Sequence, residues 1–301
     1  MDEKGRRAAF SVNAGRRFQG ARDLLSLRLR AMLGHVTEPA KTARLGNYAE
    51  QARTYDYTRG ASPTVVRALA KYLGDPVGRS LLDIAGGTGN YGQVFAARGF
   101  RVVVVDASIE MLAHAARKLG PGRCVAGDAL ALPIRDARVD CAMLVNAFHL
   151  IEQPLAALRE ARRVLRAGPL VLTAFTNENL AALFVYEYFG LSAPLTPRPP
   201  AGEIEEALGE AGFSTVQSET YVYTDTVDGS LNALHANALR LAGRAYLRNT
   251  SFWHGLDEET RARGLSALAE DLRSGRLEER VKDGFRQAAL HGHGTVFAAW
   301  P

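Results

Sequence analysis

The stretch Leu81-Leu82-Asp83-Ile84-Ala85-Gly86-Gly87-Thr88-Gly89-Asn90-Tyr91-Gly92 constrains the fold of this 301-residue chain more than any other. An apolar run takes in an acid, a glycine-dense turn follows, and the segment Gln93 to Arg98 continues with helical character. Strand, tight loop and helix in that order bring backbone N–H groups and a helix N-terminus up to a ligand. Glycine permits a backbone to turn that sharply and still admit a ligand at close range.

Read literally, Gly87-Thr88-Gly89-Asn90-Tyr91-Gly92 fits the dinucleotide pattern G-x-G-x-x-G. That pattern alone is weak, and the flanking residues point elsewhere. Asp83 lies within the strand, four residues before Gly87, where a dinucleotide-binding strand usually carries an apolar residue. The next strand, Arg101 to Asp106, ends in a carboxylate suited to a ribose diol, and Gly122 to Ala129 brings Asp128 to a third strand end. The alternation predicts strands near 79–85, 101–106, 122–128, 139–146 and 169–176, with helices near 90–98, 108–119 and 154–167. That is an α/β chain with a parallel sheet and crossover helices. A helix from Ala201 to Ala211, a strand from Phe213 to Thr224 and a closing antiparallel strand, Gly294 to Trp300, complete it. Ala85, Asp106, Asp128 and Asn146 then all stand at strand ends, where such sheets bind ligands.

Three acidic strand ends in register with a glycine loop resemble the class I methyltransferases that use S-adenosylmethionine, and the likeness runs from Leu81 to Thr176. It is a resemblance to small-molecule members with a ubiquinone/menaquinone-methyltransferase-like core and a Rossmann-like sheet. Their first motif, roughly (D/E)-x-G-x-G-x-G, stands here as Asp83 to Gly89, with Ala85 replacing the first glycine. The resemblance implies S-adenosylmethionine as cofactor and S-adenosylhomocysteine as product. It implies that Ala85, Gly86, Gly87 and Gly89 pack on the methionine part, with Asp83 orienting the loop or the amino group. Asp106, beside Ala107, would hold the ribose hydroxyls, and Asp128, beside Ala129, would accept from the adenine amino group. Asn146 would end the fourth strand beside the methyl group. The run Tyr55-Asp56-Tyr57-Thr58-Arg59 resembles the Tyr-Asp-x-x-Arg segment that closes over the cofactor carboxylate in these enzymes, which makes Tyr55 and Arg59 candidates for charge-assisted bonds to it. Just downstream, Ser62-Pro63 opens a helix to about Leu73, with Ser as N-cap.

Composition and charge narrow the function classes. The chain is 47% hydrophobic and 23% charged, a soluble globular balance. No apolar run approaches the roughly 20 residues of a membrane span, and the first residues lack the apolar core of a signal peptide, so a cytoplasmic protein is expected. Cys124 and Cys141 fall in expected core strands and read as buried reduced thiols. No Cys/His cluster has metal-ligand spacing, so no metal is expected. Residues 1–44 hold ten Lys or Arg against four acids, whereas the remainder is nearly neutral. A nucleic-acid enzyme more often spreads positive potential beside its active site. After strand 4 the chain also reads Val145-Asn146-Ala147-Phe148-His149, not the Asx-Pro-Pro-aromatic run of amino-group DNA methyltransferases. Phe18, Ala21, Leu25, Leu29 and Met32 recur at helical steps, so the basic arm reads as a solvated helix face or a homodimer contact.

The expected organisation is a basic helical arm (1–45), a cofactor-binding core (46–226), a helical lid (227–290) and a closing strand (291–301). Two segments exceed the minimal core: Asn177 to Pro200, rich in aromatics and prolines, and the insertion from about Val227 to Leu290. A lid that excludes water suits a small or medium apolar acceptor. Phe184, Tyr188, Trp253 and His254 are the candidate acceptor contacts. Methyl transfer needs chiefly an in-line nucleophile, and a base only where the acceptor must lose a proton. His149, three residues past the fourth strand, is the candidate base. The reading is methylation of oxygen or nitrogen on a small, specialised (natural-product) metabolite. Carbon methylation is the nearest alternative, and an NAD(P)-binding oxidoreductase the alternative from another class.

Overall fold

The computed structural model describes residues 52–192 and 198–301, so the basic arm with its Phe18-to-Met32 stripe lies outside the described residues. Helix α1 (Tyr55–Thr58) is a single turn, and α2 (Pro63–Leu73) follows. In α2 the Ser62 hydroxyl accepts from the Thr64 and Val65 amides and Pro63 occupies the first turn, where its missing N–H costs nothing. The core then alternates: β1 (Ser80–Ile84), α3 (Asn90–Ala97), β2 (Arg101–Asp106), α4 (Ile109–Leu119), β3 (Cys124–Ala126), β4 (Cys141–Val145), α5 (Pro154–Val164) and β5 (Leu170–Ala174). After the single turn α6 (Val185–Tyr188) come α7 (Ala201–Glu210) and β6 (Thr215–Tyr221). Four short helices, α8 (Leu231–Leu234) to α11 (Ser251–His254), and two long ones, α12 (Glu258–Ser274) and α13 (Arg276–His291), lead into β7 (Gly294–Trp300).

The sheet order is β3-β2-β1-β4-β5-β7-β6. Strands β1 to β5 run parallel, and β7 lies antiparallel between β5 and β6, as the sequence predicts. The chain steps outward from β1 to β3 and then crosses to β4, so the topological switch point lies between β1 and β4.

Period-two alternation assigns each strand residue to a face. Leu82, Ile84, Leu144, Leu172 and Phe297 pack with Leu158 and Val164 of α5 and with Ile204 and Leu208 of α7. Leu81, Val102, Val104, Met143, Val171 and Val296 pack on the other face with Leu69 of α2, Phe95 of α3 and Leu112 of α4. Asp83 shares the face of Leu81, which drives its carboxylate into this second apolar layer. A third cluster joins Leu183, Val185, Tyr186 and Phe189 to Leu234, Leu247, Phe252, Trp253, Leu268 and Leu277. The two segments that exceed the minimal core therefore share one hydrophobic core, and Leu183 to Phe189 packs with the helical layer although the sequence reading placed it in the cofactor-binding part.

Strand β3 is shorter than expected, because Pro121 opens a single 3-10 turn over Pro121–Arg123 before it. It is also an edge strand, paired on one side only, which leaves Cys124 half-buried where full burial was expected. Cys141, on central β4, is buried as predicted.

One prediction tests the helical layer. A Cβ built on Gly264 of α12 would stand 2.3 Å from the Phe189 ring. Alanine is favoured over glycine within a helix by about 1 kcal/mol, whereas overpacking a fixed ring costs about 1–3 kcal/mol. Gly264→Ala is expected to lower stability by roughly 1 kcal/mol in urea denaturation. A rise in stability would mean that this contact yields freely.

Candidate active site

The glycine loop turns through three left-handed residues at alternate positions: Ala85 at φ +53°, Gly87 at +55° and Gly89 at +74°. These are the three glycine positions of the motif, so Ala85 adopts the conformation that the missing glycine would take freely. A Cβ on Gly86 would stand 2.6 Å from the Asp83 carboxyl carbon, and one on Gly92 would stand 3.0 Å from an Asp83 oxygen. Glycine at 86 and 92 thus lets the loop and α3 close directly over Asp83. Above Gly87 nothing lies within 4 Å of a built Cβ, which leaves room for a ligand against the loop.

Asp83 is 1% exposed and neither carboxylate oxygen makes a hydrogen bond of ordinary geometry. Burial, reinforced by the neighbouring Asp106 charge, raises its pKa to about 8. The sequence reading left two roles open for this residue. Its burial beneath Gly86 and Gly92 fits the first of these, loop orientation. Asp106, at the end of β2, accepts from the Gly87 amide and from the Ser108 amide, each at 2.8 Å. Burial raises its pKa, and those two amide bonds oppose the rise. Asp128 accepts from the Leu130 amide at 2.9 Å in an Asx turn, which leaves its second oxygen without a bond among the described residues. Ala107 is exposed beside Asp106, and Ala129 is half-buried beside Asp128. The three strand ends thus come together as the sequence predicts.

The segment 52–60 forms a flap over this loop. Asp56 accepts from the Thr88 hydroxyl at 2.7 Å and pairs with Lys118 at 2.8 Å. Burial pushes the Asp56 pKa up, but the bonds from Lys118 and Thr88 outweigh it and hold it low. Arg59, expected to meet a cofactor carboxylate, is ion-paired with Asp228 at 2.7 Å and stacks over the Tyr55 ring at 5.4 Å. That is a correction in part: the protein supplies its own carboxylate, and only the buried Arg59 Nε remains without a partner. Asp228 also accepts from Tyr91 Oη at 3.0 Å and Asn146 Nδ2 at 2.7 Å. Asn146, itself at φ +53°, ends β4 as expected and accepts from the Thr173 hydroxyl at 2.9 Å.

His149, the candidate base, lies in the single 3-10 turn Phe148–Leu150 after β4. Burial, followed by the charges of Arg198 and Arg59, lowers its pKa to about 3, and its Nδ1 is buried without a partner. A proton acceptor titrating between pH 6 and 8 was expected; burial and the charges of Arg198 and Arg59 push the ring below that range. The four acceptor candidates also fall differently from expectation. Phe184 and Tyr188 meet each other at 6.4 Å beneath the Arg280 guanidinium. Trp253 is buried in the helical layer with Arg261 over its ring, and His254 is exposed. Among the described residues, Phe184, Tyr188 and Trp253 share no hydrogen bond or ring contact with Arg59, Asn146 or His149. Trp253 lies in the core of the helical layer, and Phe184 and Tyr188 pack against it.

Asp228, Asn249 and Arg198 were missed. Asn249 donates to the Thr58 hydroxyl at 2.6 Å and so ties the flap to the helical layer. Only Asp228 carried a signal: it stands in Val227-Asp228-Gly229, at the start of the insertion, where Arg59 and Asp228 form an isolated antiparallel bridge. The loop amides, the Asp106 carboxylate and the free Arg59 Nε suit a cofactor with a ribose and an amino-acid end, which is the chemistry of S-adenosylmethionine.

Two predictions follow from the loop. Asp83 binds its proton more tightly folded (pKa about 8) than unfolded, so its contribution to stability is full below about pH 4 and is lost as pH rises to about 8. Asp83→Asn is expected to be more stable than wild type at pH 8, and the difference is expected to shrink at pH 5; urea midpoints without cofactor check this. Ala85→Gly relieves a left-handed alanine at the expense of unfolded-chain entropy and is expected to change stability by less than about 1 kcal/mol, in the stabilising direction. Calorimetric melting reads the sign.

Comparison with known proteins agrees with this geometry. Residues 82–173 match the family model described as a methyltransferase domain. A demethylmenaquinone methyltransferase of Beutenbergia cavernae is 33% identical over 158 residues, covering 50% of this chain and 66% of that protein. A malonyl-[acyl-carrier protein] O-methyltransferase of Hamiltonella defensa is 30% identical over 132 residues, covering 44% of this chain and 51% of that protein. The chain thus spans about half to two thirds of the length of these curated relatives. Among solved structures, a putative methyltransferase from an antibiotic biosynthesis pathway of Anabaena variabilis superposes with a TM-score of 0.67 at 24% identity, covering 81% of this chain and 99% of that one. The chain carries a methyltransferase domain of the class I, S-adenosylmethionine-dependent kind.

Proposed function

We propose that this protein transfers a methyl group from S-adenosylmethionine to an oxygen or nitrogen of a small acceptor, a specialised metabolite, in the cytoplasm. The observation that carries the small-acceptor reading is the closure of the site by the chain itself. Arg59 bonds both Asp228 and the Asn249 backbone, so the flap and the helical layer together roof the strand ends. A macromolecular acceptor needs an open cleft there, and nucleic acid is accordingly not proposed. The names of the two curated relatives, a demethylmenaquinone methyltransferase and a malonyl-[acyl-carrier protein] O-methyltransferase, support small or carrier-borne acceptors. Carbon methylation remains the alternative within the class. Among the described residues no helix is long and apolar enough to cross a membrane.

The cofactor supplies a sulfonium-activated methyl group. The chain's own part is to hold and exclude. Asp106 is placed to accept the ribose hydroxyls, the Ala85–Gly89 turn presents its backbone, and Asp128 keeps an oxygen for the adenine end. Asp228 is saturated by three donors and does not act as a base. His149, neutral at physiological pH, is left to orient the acceptor through its free Nδ1.

A carboxylate holding two hydroxyls contributes on the order of 2–3 kcal/mol. Asp106→Ala is therefore expected to weaken S-adenosylhomocysteine binding by roughly 30- to 150-fold in calorimetry while the circular dichroism spectrum is unchanged. Wild-type affinity in this variant overturns the ribose assignment. Tight binding of NAD(H) by the native protein, with none of S-adenosylhomocysteine, overturns the methyltransferase reading. With the His149 pKa near 3, the wild-type rate is expected to show no step from this residue between pH 6 and 8. His149→Ala is expected to lower kcat/KM by roughly tenfold, the worth of one orienting hydrogen bond.

A further inference from the structure

We infer that Asp56 and Lys118 are positioning residues that latch the flap onto the glycine loop, and so set how long cofactor and product stay bound; this rests on the methyltransferase reading above. Lys118 lies in the last turn of α4, and its three ammonium donors meet three acceptors. It donates to the Thr88 carbonyl at 2.9 Å and to Asn90 Oδ1, and it pairs with Asp56 Oδ2 at 2.8 Å. The other Asp56 oxygen accepts from the Thr88 hydroxyl at 2.7 Å and from Asn90 Nδ2 at 3.2 Å. His114, one turn before Lys118, places Nδ1 3.5 Å from Asp56 Oδ2. Thr88 and Asn90 bracket Gly89, which stands at the N-cap of α3 without a side chain to cap it. The flap thus lends its carboxylate to a helix start that favours negative charge.

This cluster stands next to the ribose carboxylate's own contact. Gly87, which precedes Thr88, gives its amide to Asp106 at 2.8 Å. One ammonium therefore holds both the backbone of the cofactor loop and the side chain of the flap. The two ends of the flap are anchored unequally. Arg59 and Asp228 have side chains 15% and 6% exposed, whereas Lys118 and Asp56 are 19% and 32% exposed. Water competes more for the Asp56 end, so that end lifts first. A lone pair in such a setting holds weakly, but here two charged groups share five bonds with a loop and a helix start. Product must leave and fresh cofactor enter in every cycle, and a flap that roofs the loop has to lift for both. Breaking the Asp56 contacts is the step that lifting requires.

The test measures S-adenosylhomocysteine association and dissociation rates by stopped flow on the full chain. Lys118→Met is expected to raise the dissociation rate roughly tenfold, the worth of one charge-assisted hydrogen bond, with association within about threefold of wild type. Asp56→Asn is expected to act in the same direction, and the double variant to exceed Lys118→Met by less than about twofold, because both remove one contact. Lys118→Arg, which keeps the charge, is expected to retain most of the wild-type residence time. Amide hydrogen exchange across residues 54–59 in the S-adenosylhomocysteine complex is expected to speed up in Lys118→Met and in Asp56→Asn. Dissociation rates within about threefold of wild type in both single variants overturn the latch. So do effects that multiply in the double variant, or faster dissociation with unchanged flap exchange, which assigns Lys118 to the loop alone. Should Lys118→Met fail to fold, Asp56→Asn decides by the same readings. A wild-type protein that binds no S-adenosylhomocysteine overturns the underlying reading instead, and the initial titration shows that separately.

Discussion

The Asp228 carboxylate is the contact on which the site's architecture depends. Its two oxygens accept from Arg59 in the flap, Tyr91 at the start of α3 and Asn146 at the end of β4. Those donors belong to three elements that no strand pairing joins. Asp228 itself begins the passage from β6 into the helical layer, so one buried anion registers the flap, the glycine helix, the sheet and the layer against one another. Such a group is stabilising only while its partners are all present, because removing any donor leaves a desolvated charge under-satisfied. Asp225 repeats the device at the rim: it accepts from the Ser62 and Thr64 hydroxyls, each at 2.9 Å, and ties the same passage to the N-terminus of α2.

Electrostatics divides the site along the sheet. At the β1–β3 end, burial and then the Asp106 charge disfavour ionisation of Asp83, and the more deeply buried Asp83 keeps its proton. That end behaves as a site with fewer negative charges than its formula suggests. At the β4–β5 end, Arg59 is paired with the Asp228 carboxylate. The depressed His149 pKa has burial as its first cause, and the Arg198 and Arg59 charges add to it.

Legibility in the sequence followed the range of the interactions. The strands, the crossover helices, the Ser62 cap and the three acidic strand ends were readable because each rests on local periodicity or a turn. The glycine motif even disclosed its irregularity: Ala85 was seen as a substitution, though its left-handed φ was not. What escaped was non-local. Arg59 and Asp228 are 169 residues apart, so nothing near Arg59 shows that its partner is a protein carboxylate. Phe184, Tyr188 and Trp253 looked like an acceptor surface because aromatics near a site and aromatics in a satellite core have the same composition. The His149 position after β4 was legible, but its pKa depends on burial and on Arg198, neither of which leaves a mark in the neighbouring residues.

The place of β7 has a consequence for how the chain reaches this state. Strand β6 touches the sheet only through β7, and the two are separated by the whole helical insertion. Pairing Tyr221 with Gly294 therefore closes a long loop, whose entropic cost grows slowly with length but falls due before the strand bonds form. The helical layer shortens that loop. Asn232, at its start, donates to the His293 carbonyl at 2.7 Å, and His293, at its end, receives the Tyr223 amide on Nδ1 at 3.1 Å. Once the layer has collapsed on its own aromatic core, the two strands are already neighbours. The insertion that roofs the site thus also brings the ends of the last two strands within reach of each other.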